Sequence, residues 1–351
     1  MNILCFGGGA IGSYIGGSLG LAGNQIVYVE RASSAERLKA NGIRIHKING
    51  ETAELKNIQA FDQAEEALNF CSYDLAIMAV KSFNTEDVLN SIRPFKTKLP
   101  PFMSLQNGVE NEEKIAGLVG RENVIPVSVC TAISRGEAGE IRVEKLRGIG
   151  IADGLAFSKP LYEACKAAEL KPGLCSNGQN MKWSKMISNL LSNAASAILD
   201  MTPAEVFSNP ISYDLEVRQI REALSVMKAM NISPINIPGV PVSLLCWIMM
   251  KLPENISRPL IQKSVGSGRG GKMPSFYIDL HAGSKQSEVE YLNGAVVRAA
   301  KKFGQSVPVN QCYCETLEAL AAGTLPLDTY QHDPEKLRKA CLPAFDRPDA
   351  I

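Results

Sequence analysis

Short apolar runs alternate with longer segments of helical spacing through the first half of the 351-residue chain. This alternation is typical of a parallel, doubly wound sheet whose strands are joined by helices. The apolar runs predict strands at 3–6, 26–29, 75–80, 102–105 and 124–129. Helices are predicted between some of these strands, at 35–41, 85–92 and 112–118.

Two further segments of the first half indicate extra strands. Residues 42–55 predict a small hairpin or strand insertion. Residues 140–144 read Glu-Ile-Arg-Val-Glu, and their period of two predicts an antiparallel extension of the main sheet.

The period of two disappears from about Gln179, where methionine, serine, asparagine and leucine dominate. Residues 231–239 and the glycine-rich, basic residues 264–272 are predicted to be loops, and the tail after Phe345 is predicted to be disordered. Helices are predicted at 181–199, 213–229, 242–252, 276–282, 288–303 and 312–322. The fold class is therefore α/β, with a Rossmann-type domain at 1–177 and an all-helical domain at 178–351.

The charge balance and the length of the apolar runs limit the kinds of partner that the sequence predicts. The net charge is +1, from 37 basic and 36 acidic residues, so nothing indicates a nucleic-acid or anionic-membrane partner. The longest apolar stretch, 242–250, is too short to span a bilayer.

Nine cysteines, an odd number, argue against a complete disulfide framework, and no signal peptide precedes the first strand, so we expect a cytoplasmic protein with reduced thiols. With only three histidines, we expect no metal site.

The first predicted strand leads directly into a glycine-rich turn. Residues 2–12 read Asn-Ile-Leu-Cys-Phe-Gly-Gly-Gly-Ala-Ile-Gly, and a second strand follows about one helix later. In a dinucleotide site such glycines allow a tight turn, a close approach of the pyrophosphate, and packing of the helix on the strand. The helix N-terminus offers N–H groups to the phosphates. The predicted contacts are Gly7, Gly8, Gly9, Ala10, Ile11 and Gly12.

The end of the second strand gives two conflicting signals about the nucleotide. Glu30 stands where an acidic residue would hold a ribose hydroxyl and favour NAD, whereas Arg31 would hold the 2′-phosphate of NADP. Both residues could instead be solvated at the strand end. Because an arginine here is hard to explain without a phosphate, we expect NADPH.

The segment 185–199 carries no charge after Lys185, which predicts a helix buried nearly all round. Lys185, Asn189 and Asn193 are spaced i, i+4 and i+8, so an uninterrupted helix would place them on one face. Buried amides and ammonium groups need partners, which are either other side chains or a polar ligand. Both readings stay open, and such a face suits a small carboxylate that bears a carbonyl.

Four other polar residues have a functional and a structural interpretation. Lys81 and Asn107 follow predicted parallel strands, at the sheet edge where ligands bind, but strand-end lysines are usually solvated and Asn-Gly is a common turn. Glu288 falls in the first turn of a helix with a capping-box pattern at Ser287, and Ser275 follows a proline as a helix cap would. Taken alone, these residues favour the structural reading.

Taken together, these residues resemble the ketopantoate reductase (2-dehydropantoate 2-reductase) family, with a match over nearly the whole chain. The most specific segments are Lys185-x3-Asn189-x3-Asn193 and Glu288-Val-Glu-Tyr-Leu-Asn-Gly294. The resemblance implies reduction of 2-dehydropantoate to pantoate, a step towards coenzyme A.

The resemblance also implies roles for individual residues. The glycine turn and Arg31 would bind NADPH, and Lys81 and Asn107 would lie near its nicotinamide. Lys185 would be the proton donor, and Glu288 would contact the cofactor and organise the site. Substrate contacts would come from Asn107, Lys185, Asn189, Asn193 and Ser275.

Three features depart from the family pattern. Glu30 puts strict NADPH preference in question, Pro203 stands where another polar substrate contact is common, and the segment 232–273 is longer than the pattern needs. The alternatives are therefore a reductase of another small 2-oxo acid or, from another class, a non-catalytic nucleotide sensor. The sequence leaves the oligomeric state open, and an apolar surplus in the helical half is compatible with a homodimer.

Overall fold

The computed structural model describes residues 1–137, 139–269 and 273–342, and it leaves out the side chains of 264–269. By internal packing the chain divides into two compact units. The first holds Met1–Lys182 and Asn236–Val240, and the second is formed by the described residues of Trp183–Ile235 and Pro241–Ile351. The functional division proposed at residue 177 stays a prediction.

The described residues of the first unit form twelve strands in two sheets. In chain order the strands are β1 Asn2–Phe6, β2 Gln25–Val29, β3 Ile43–His46, β4 Thr52–Leu55, β5 Gln59–Phe61, β6 Leu75–Met78, β7 Phe102–Ser104, β8 Val124–Val129, β9 Ala132–Arg135, β10 Glu140–Lys145, β11 Ile149–Ala152 and β12 Pro172–Cys175. The main sheet has the order β12-β11-β8-β7-β6-β1-β2-β5. Its strands are parallel from β8 to β5, and β11 runs antiparallel to β8.

Both faces of the main sheet are buried, which explains the continuous apolar runs. On β1, Ile3 and Cys5 point into one hydrophobic core, whereas Leu4 and Phe6 point into the other. Cys5 pairs with Tyr28 on one side and with Ile77 on the other. The helices of this unit are α1 Ala10–Leu21, α2 Ala32–Asn41, α3 Ala64–Phe70, α4 Thr85–Ile92, α5 Asn111–Val119 and α6 Ser158–Ala167.

The second sheet has the order β4-β3-β10-β9. The predicted hairpin at 42–55 is its β3–β4 pair. The expectation for 140–144 was wrong in one respect. That segment is a strand, but β10 pairs parallel with β3 and antiparallel with β9 rather than extending the main sheet. A period of two shows that one face is buried without showing which sheet the strand joins.

Every helix or strand assigned to the described residues of the second unit is a helix. Its elements are α7 Gly178–Leu190, whose first residues to Lys182 belong to the first unit, α8 Asn193–Leu199, α9 Pro203–Ser208, α10 Pro210–Ala229, α11 Val242–Lys251, α12 Glu254–Arg269, α13 Ser275–His281, α14 Val289–Lys302, α15 Pro308–Ala322 and α16 Pro334–Cys341. The central helix α10 packs on α9, α11, α12, α14, α15 and α16. Its buried face includes Leu215, Ile220, Ala223 and Met227.

Several predictions in this half need correction. The predicted helix 181–199 is interrupted at Leu191 and Ser192, where Ser192 has a φ of 54°. The predicted loop at 264–272 is wrong for 264–269, which continue α12, and its residues 270–272 lie outside the described chain. The predicted disordered tail also lies outside it. Packing on α9 and α11 overrides the low helix propensity of the glycines and Pro259 in α12.

Two expectations about the environment can be compared with the structure. Cys312 and Cys341 form a disulfide that joins α15 to α16, so the expectation that all thiols are reduced was wrong for this pair. The other seven cysteines do not take part in disulfides. Within the described residues, no helix is both long and apolar enough to cross a membrane.

Candidate active site

The glycine turn joins β1 to α1 as the sequence predicts. Gly7 has a φ of +100°, a conformation that an L side chain would strain. A Cβ at Gly12 would overlap the carbonyl oxygen of Gly7, so only glycine lets α1 begin here. At Gly9, by contrast, no described atom lies within 4 Å of where a Cβ would stand. The turn is therefore tight on its inner side and open at Gly9.

The N-terminus of α1 is free to receive an anion. Gly9 is the N-cap residue, and no side chain caps the helix. The N–H groups of its first turn, which includes Ala10 and Ile11, have no partners within the helix. They carry the positive end of a twelve-residue helix dipole. The open space at Gly9 and these N–H groups fit a pyrophosphate.

Glu30 and Arg31 take different roles at the end of β2. One carboxylate oxygen of Glu30 accepts a hydrogen bond from the Gly8 N–H at 2.6 Å, and the other accepts from the Arg31 N–H at 3.0 Å. The Arg31 side chain is 89% exposed, with its Nε 3.6 Å from the Glu30 carboxylate. The acidic residue is thus committed to the glycine turn, and the guanidinium projects into solvent.

The turns that follow β6 and β7 are tied together by buried side chains. Ser82 Oγ donates to the carbonyl oxygen of Asn107 at 3.1 Å, and Asn111 Nδ2 donates to the same oxygen at 2.8 Å. Nε2 of Gln106 donates to the carbonyl oxygen of Val80 at 3.0 Å. Because β6 and β7 are neighbours, Lys81 and Asn107 stand at one edge of the sheet.

The sequence reasoning missed Lys182, which is only 5% exposed. Its Nζ donates to the carbonyl oxygen of Gln106 at 2.6 Å and lies 2.8 Å from a carboxylate oxygen of Glu112. The signal in the sequence was a charged residue between the apolar Met181 and Trp183. The ammonium group fixes the residue that precedes Asn107.

In the second unit, α7 carries Lys185 and Asn189, both half-buried. Asn193 is buried and is the first residue of α8, beyond the break at Ser192. The three residues do not share one continuous helix. This departs from the predicted stacking.

The break brings Asn193 to Ser275, which lies 82 residues further along the chain. Asn193 Nδ2 donates to Ser275 Oγ at 3.4 Å, and its Oδ1 accepts from the N–H of Phe276 at 3.1 Å. Ser275 is exposed and begins α13 after the N-cap Pro274. Two of the candidate substrate contacts are therefore neighbours.

Glu288 is the N-cap residue of α14 and is buried. The expected capping box is absent from this helix start. Ser287 Oγ instead accepts a hydrogen bond from the N–H of Val289 at 3.2 Å, one residue earlier than the Glu290 N–H that the pattern requires. The structural reading of the Ser287–Glu290 pattern was therefore wrong.

The fold joins a dinucleotide-type α/β unit to a helical unit, which is the architecture of a class of nicotinamide-dependent oxidoreductases. Residues 3–154 match the family Ketopantoate reductase PanE/ApbA, and residues 177–321 match its C-terminal family, Ketopantoate reductase PanE/ApbA C terminal. The chain belongs to the ketopantoate reductase family.

Two named relatives match this chain over almost their whole length. The 2-dehydropantoate 2-reductase of Pyrococcus horikoshii is 27% identical over 317 residues, which cover 88% of this chain and 94% of the relative. The 2-dehydropantoate 2-reductase of Lactococcus lactis is 26% identical over 349 residues, which cover 97% of this chain and all of the relative.

Solved structures share the fold at lower identity. A PanE/ApbA family ketopantoate reductase from Ralstonia eutropha superimposes with a TM-score of 0.77 at 22% identity, covering 92% of this chain and 99% of that one. A ternary structure of D-mandelate dehydrogenase with NADH and anilino(oxo)acetate gives a TM-score of 0.75 at 21% identity, with the same coverage.

Proposed function

We propose that the protein reduces 2-dehydropantoate to pantoate with NADPH. Family membership supports the reaction class. The observation that carries the proposal is the pairing of Asn193 with Ser275, two polar residues gathered at the end of the helix segment that bears Lys185. A carboxylate and a hydroxyl need such fixed donors, and a ketone to be reduced needs a proton source.

The glycine turn would hold the dinucleotide. Its pyrophosphate fits the open space at Gly9 and the first N–H groups of α1. The exposed guanidinium of Arg31 would bind the 2′-phosphate, and Lys81 and Asn107 would contact the nicotinamide end. The bound NADPH supplies the hydride.

Lys185 would act as the proton donor. Addition of hydride to the ketone carbon breaks the C=O π bond and leaves the electron pair on oxygen. The Lys185 ammonium stabilises that charge and transfers a proton to the oxygen, which yields the hydroxyl. The neutral amine then regains a proton from solvent. Asn189, Asn193 and Ser275 would hold the carboxylate and hydroxyl of the substrate, and Glu288 would contact the cofactor.

A reductase of another 2-oxo acid is the second candidate. The structural neighbour D-mandelate dehydrogenase, which was solved with NADH and anilino(oxo)acetate, supports this reading. The helices α11 and α12 fill most of the segment that the family pattern does not require. The third reading, a nucleotide sensor, is weakened because a sensor needs neither Lys185 nor the asparagines.

The loss of NADPH or NADH absorbance, followed while the concentration of the 2-oxo acid is varied, tests the proposal. We expect oxidation of NADPH with 2-dehydropantoate at a kcat/KM well above that with pyruvate or phenylglyoxylate. A higher kcat/KM with phenylglyoxylate would support the second candidate. No oxidation with any of the three acids and either nucleotide would overturn the proposed reduction.

A further inference from the structure

Two side chains of α10 hold the break between α7 and α8. Oε2 of Glu216 accepts a hydrogen bond from the N–H of Ser192 at 2.6 Å. Nε2 of Gln219 donates to the carbonyl oxygen of Leu190 at 3.2 Å. Because Glu216 and Gln219 are three residues apart on one helix, they lie on one face of α10. They bind a donor and an acceptor beside the interruption in the helical hydrogen bonds.

The backbone conformation at the break is unfavourable unless other residues stabilise it. Ser192 has a left-handed φ of 54°, which a serine keeps only where its surroundings determine it. Glu216, Gln219 and Ser192 are all fully buried. A carboxylate and an amide are unfavourable in a core unless hydrogen bonds compensate for their lost water. Their partners here are backbone groups at the break.

A second layer fixes the orientation of Gln219. Asn293 Nδ2 donates to Gln219 Oε1 at 3.0 Å and to Asn310 Oδ1 at 3.1 Å. Asn310 Nδ2 donates to the backbone oxygen of Gln219 at 2.9 Å. Asn293 lies on α14, the helix that Glu288 precedes, and Asn310 lies on α15. Three helices thus contribute to one buried polar network that ends at the break.

The break decides where Asn193 lies. An uninterrupted helix would stack Asn193 two turns beyond Lys185. With the break, Asn193 begins α8 and its amide binds Ser275 Oγ and the N–H of Phe276. We propose that Glu216 and Gln219 are positioning residues for the substrate site, because they hold the Leu190–Ser192 break that directs Asn193 to Ser275. This inference rests on the proposed function.

Steady-state kinetics with 2-dehydropantoate and NADPH test the proposal. Glu216→Leu removes the acceptor of the Ser192 N–H, so KM for the 2-oxo acid should rise at least about tenfold. The Kd of NADPH, measured by fluorescence, should stay within about twofold because the glycine turn is unchanged. Glu216→Gln keeps an acceptor oxygen and should restore KM to within about threefold of the wild type. If Glu216→Leu does not fold, Gln219→Leu gives the same test.

Tyr213→Phe is the matched control. Tyr213 is also fully buried on α10, but its hydroxyl donates to Ser257 Oγ at 2.7 Å and does not reach the break. It should lower the Tm without changing KM. If Glu216→Leu and Gln219→Leu behave like Tyr213→Phe, the positioning role is overturned. A wild type that reduces no 2-oxo acid would overturn the proposed function together with this inference, whereas an active wild type with unaffected variants would overturn the inference alone.

Discussion

The carboxylate of Glu30 accepts a hydrogen bond from the N–H of Gly8 at 2.6 Å, so the acidic residue at the end of β2 is part of the glycine turn. This bond gives Glu30 a structural reason to be present besides a ribose contact. Arg31, next in the chain, is 89% exposed. Its contact with Glu30, an ion pair at the surface, contributes little to stability. The guanidinium can therefore serve a 2′-phosphate.

Arg31→Ala should weaken NADPH binding far more than NADH binding. A charge-assisted hydrogen bond to phosphate contributes roughly 1.5–3 kcal/mol, so the Kd of NADPH should rise by about 10- to 150-fold. The Kd of NADH should change by less than about twofold, since NADH lacks the phosphate. Fluorescence titration of both nucleotides measures the two values.

Glu30→Gln is the companion variant, because it keeps an acceptor for Gly8 while removing the negative charge. Glu30→Gln should lower the Kd of NADPH, since a negative carboxylate no longer repels the 2′-phosphate. If Arg31→Ala raises the Kd of both nucleotides equally, Arg31 does not bind the 2′-phosphate. Glu30 would then be the residue at the end of β2 that selects the nucleotide.

Lys185→Ala should lower kcat by at least about 100-fold, because general-acid catalysis contributes on the order of 10²–10⁴. The Kd of NADPH should stay near the wild-type value, since the lysine would act on the substrate oxygen. Stopped-flow absorbance gives kcat, and fluorescence gives the Kd. Near-normal turnover would remove Lys185 from the proton-donor role. Lys228→Ala, which removes an exposed lysine from the last turn of α10, serves as the control for loss of a lysine in the same unit.

The sheet of the first unit could be predicted because its strands are buried on both faces. Ile3, Leu4 and Phe6 are all apolar for that reason, so the run is visible without knowledge of the neighbours. The glycine turn was equally visible, since its local geometry allows only glycine at Gly12.

The break at Ser192 could not be predicted from its own residues. The local sequence has no glycine or proline, and the acceptor that stabilises the serine is Glu216, 24 residues away. The contact of Asn193 with Ser275 spans 82 residues and follows from that break. Lys182 was missed for a similar reason, because its partner Glu112 is supplied by another helix. Periodicity describes one face of an element, whereas these features depend on which elements meet.

Lys182→Met should destabilise the protein by about 3 kcal/mol or more. Removing one partner of a buried ion pair leaves the other charge without compensation. Glu112 is only 16% exposed and also accepts from Ser104 Oγ at 2.8 Å. Urea unfolding measures the loss. Adding Glu112→Leu to Lys182→Met should recover part of it, because the uncompensated carboxylate is removed. A loss below about 1 kcal/mol, the range of surface pairs, would contradict the buried pair.

Glu222 should make the stability of the protein fall as the pH rises. Burial raises the pKa of its carboxyl above the ordinary value of 4.5, although the N–H groups of Val309 and Asn310 act in the opposite direction. The folded protein therefore holds this proton more tightly than the unfolded chain does. The contribution is fully present below about pH 4.5 and is lost as the pH rises through the folded pKa.

Glu222→Gln removes that titration, so the difference in Tm between variant and wild type should shift in favour of the variant between pH 4 and pH 8. At every pH the Glu222→Gln variant has one carboxylate oxygen fewer to accept hydrogen bonds from Asn310, whose Nδ2 donates to Glu222 at 2.7 Å. Only the change of this Tm difference with pH therefore tests the raised pKa of Glu222. Differential scanning calorimetry across the range measures it, with the exposed Glu315→Gln on α15 as control. If the two variants show the same slope, the Glu222 carboxyl is already ionised in the fold and its raised pKa is refuted.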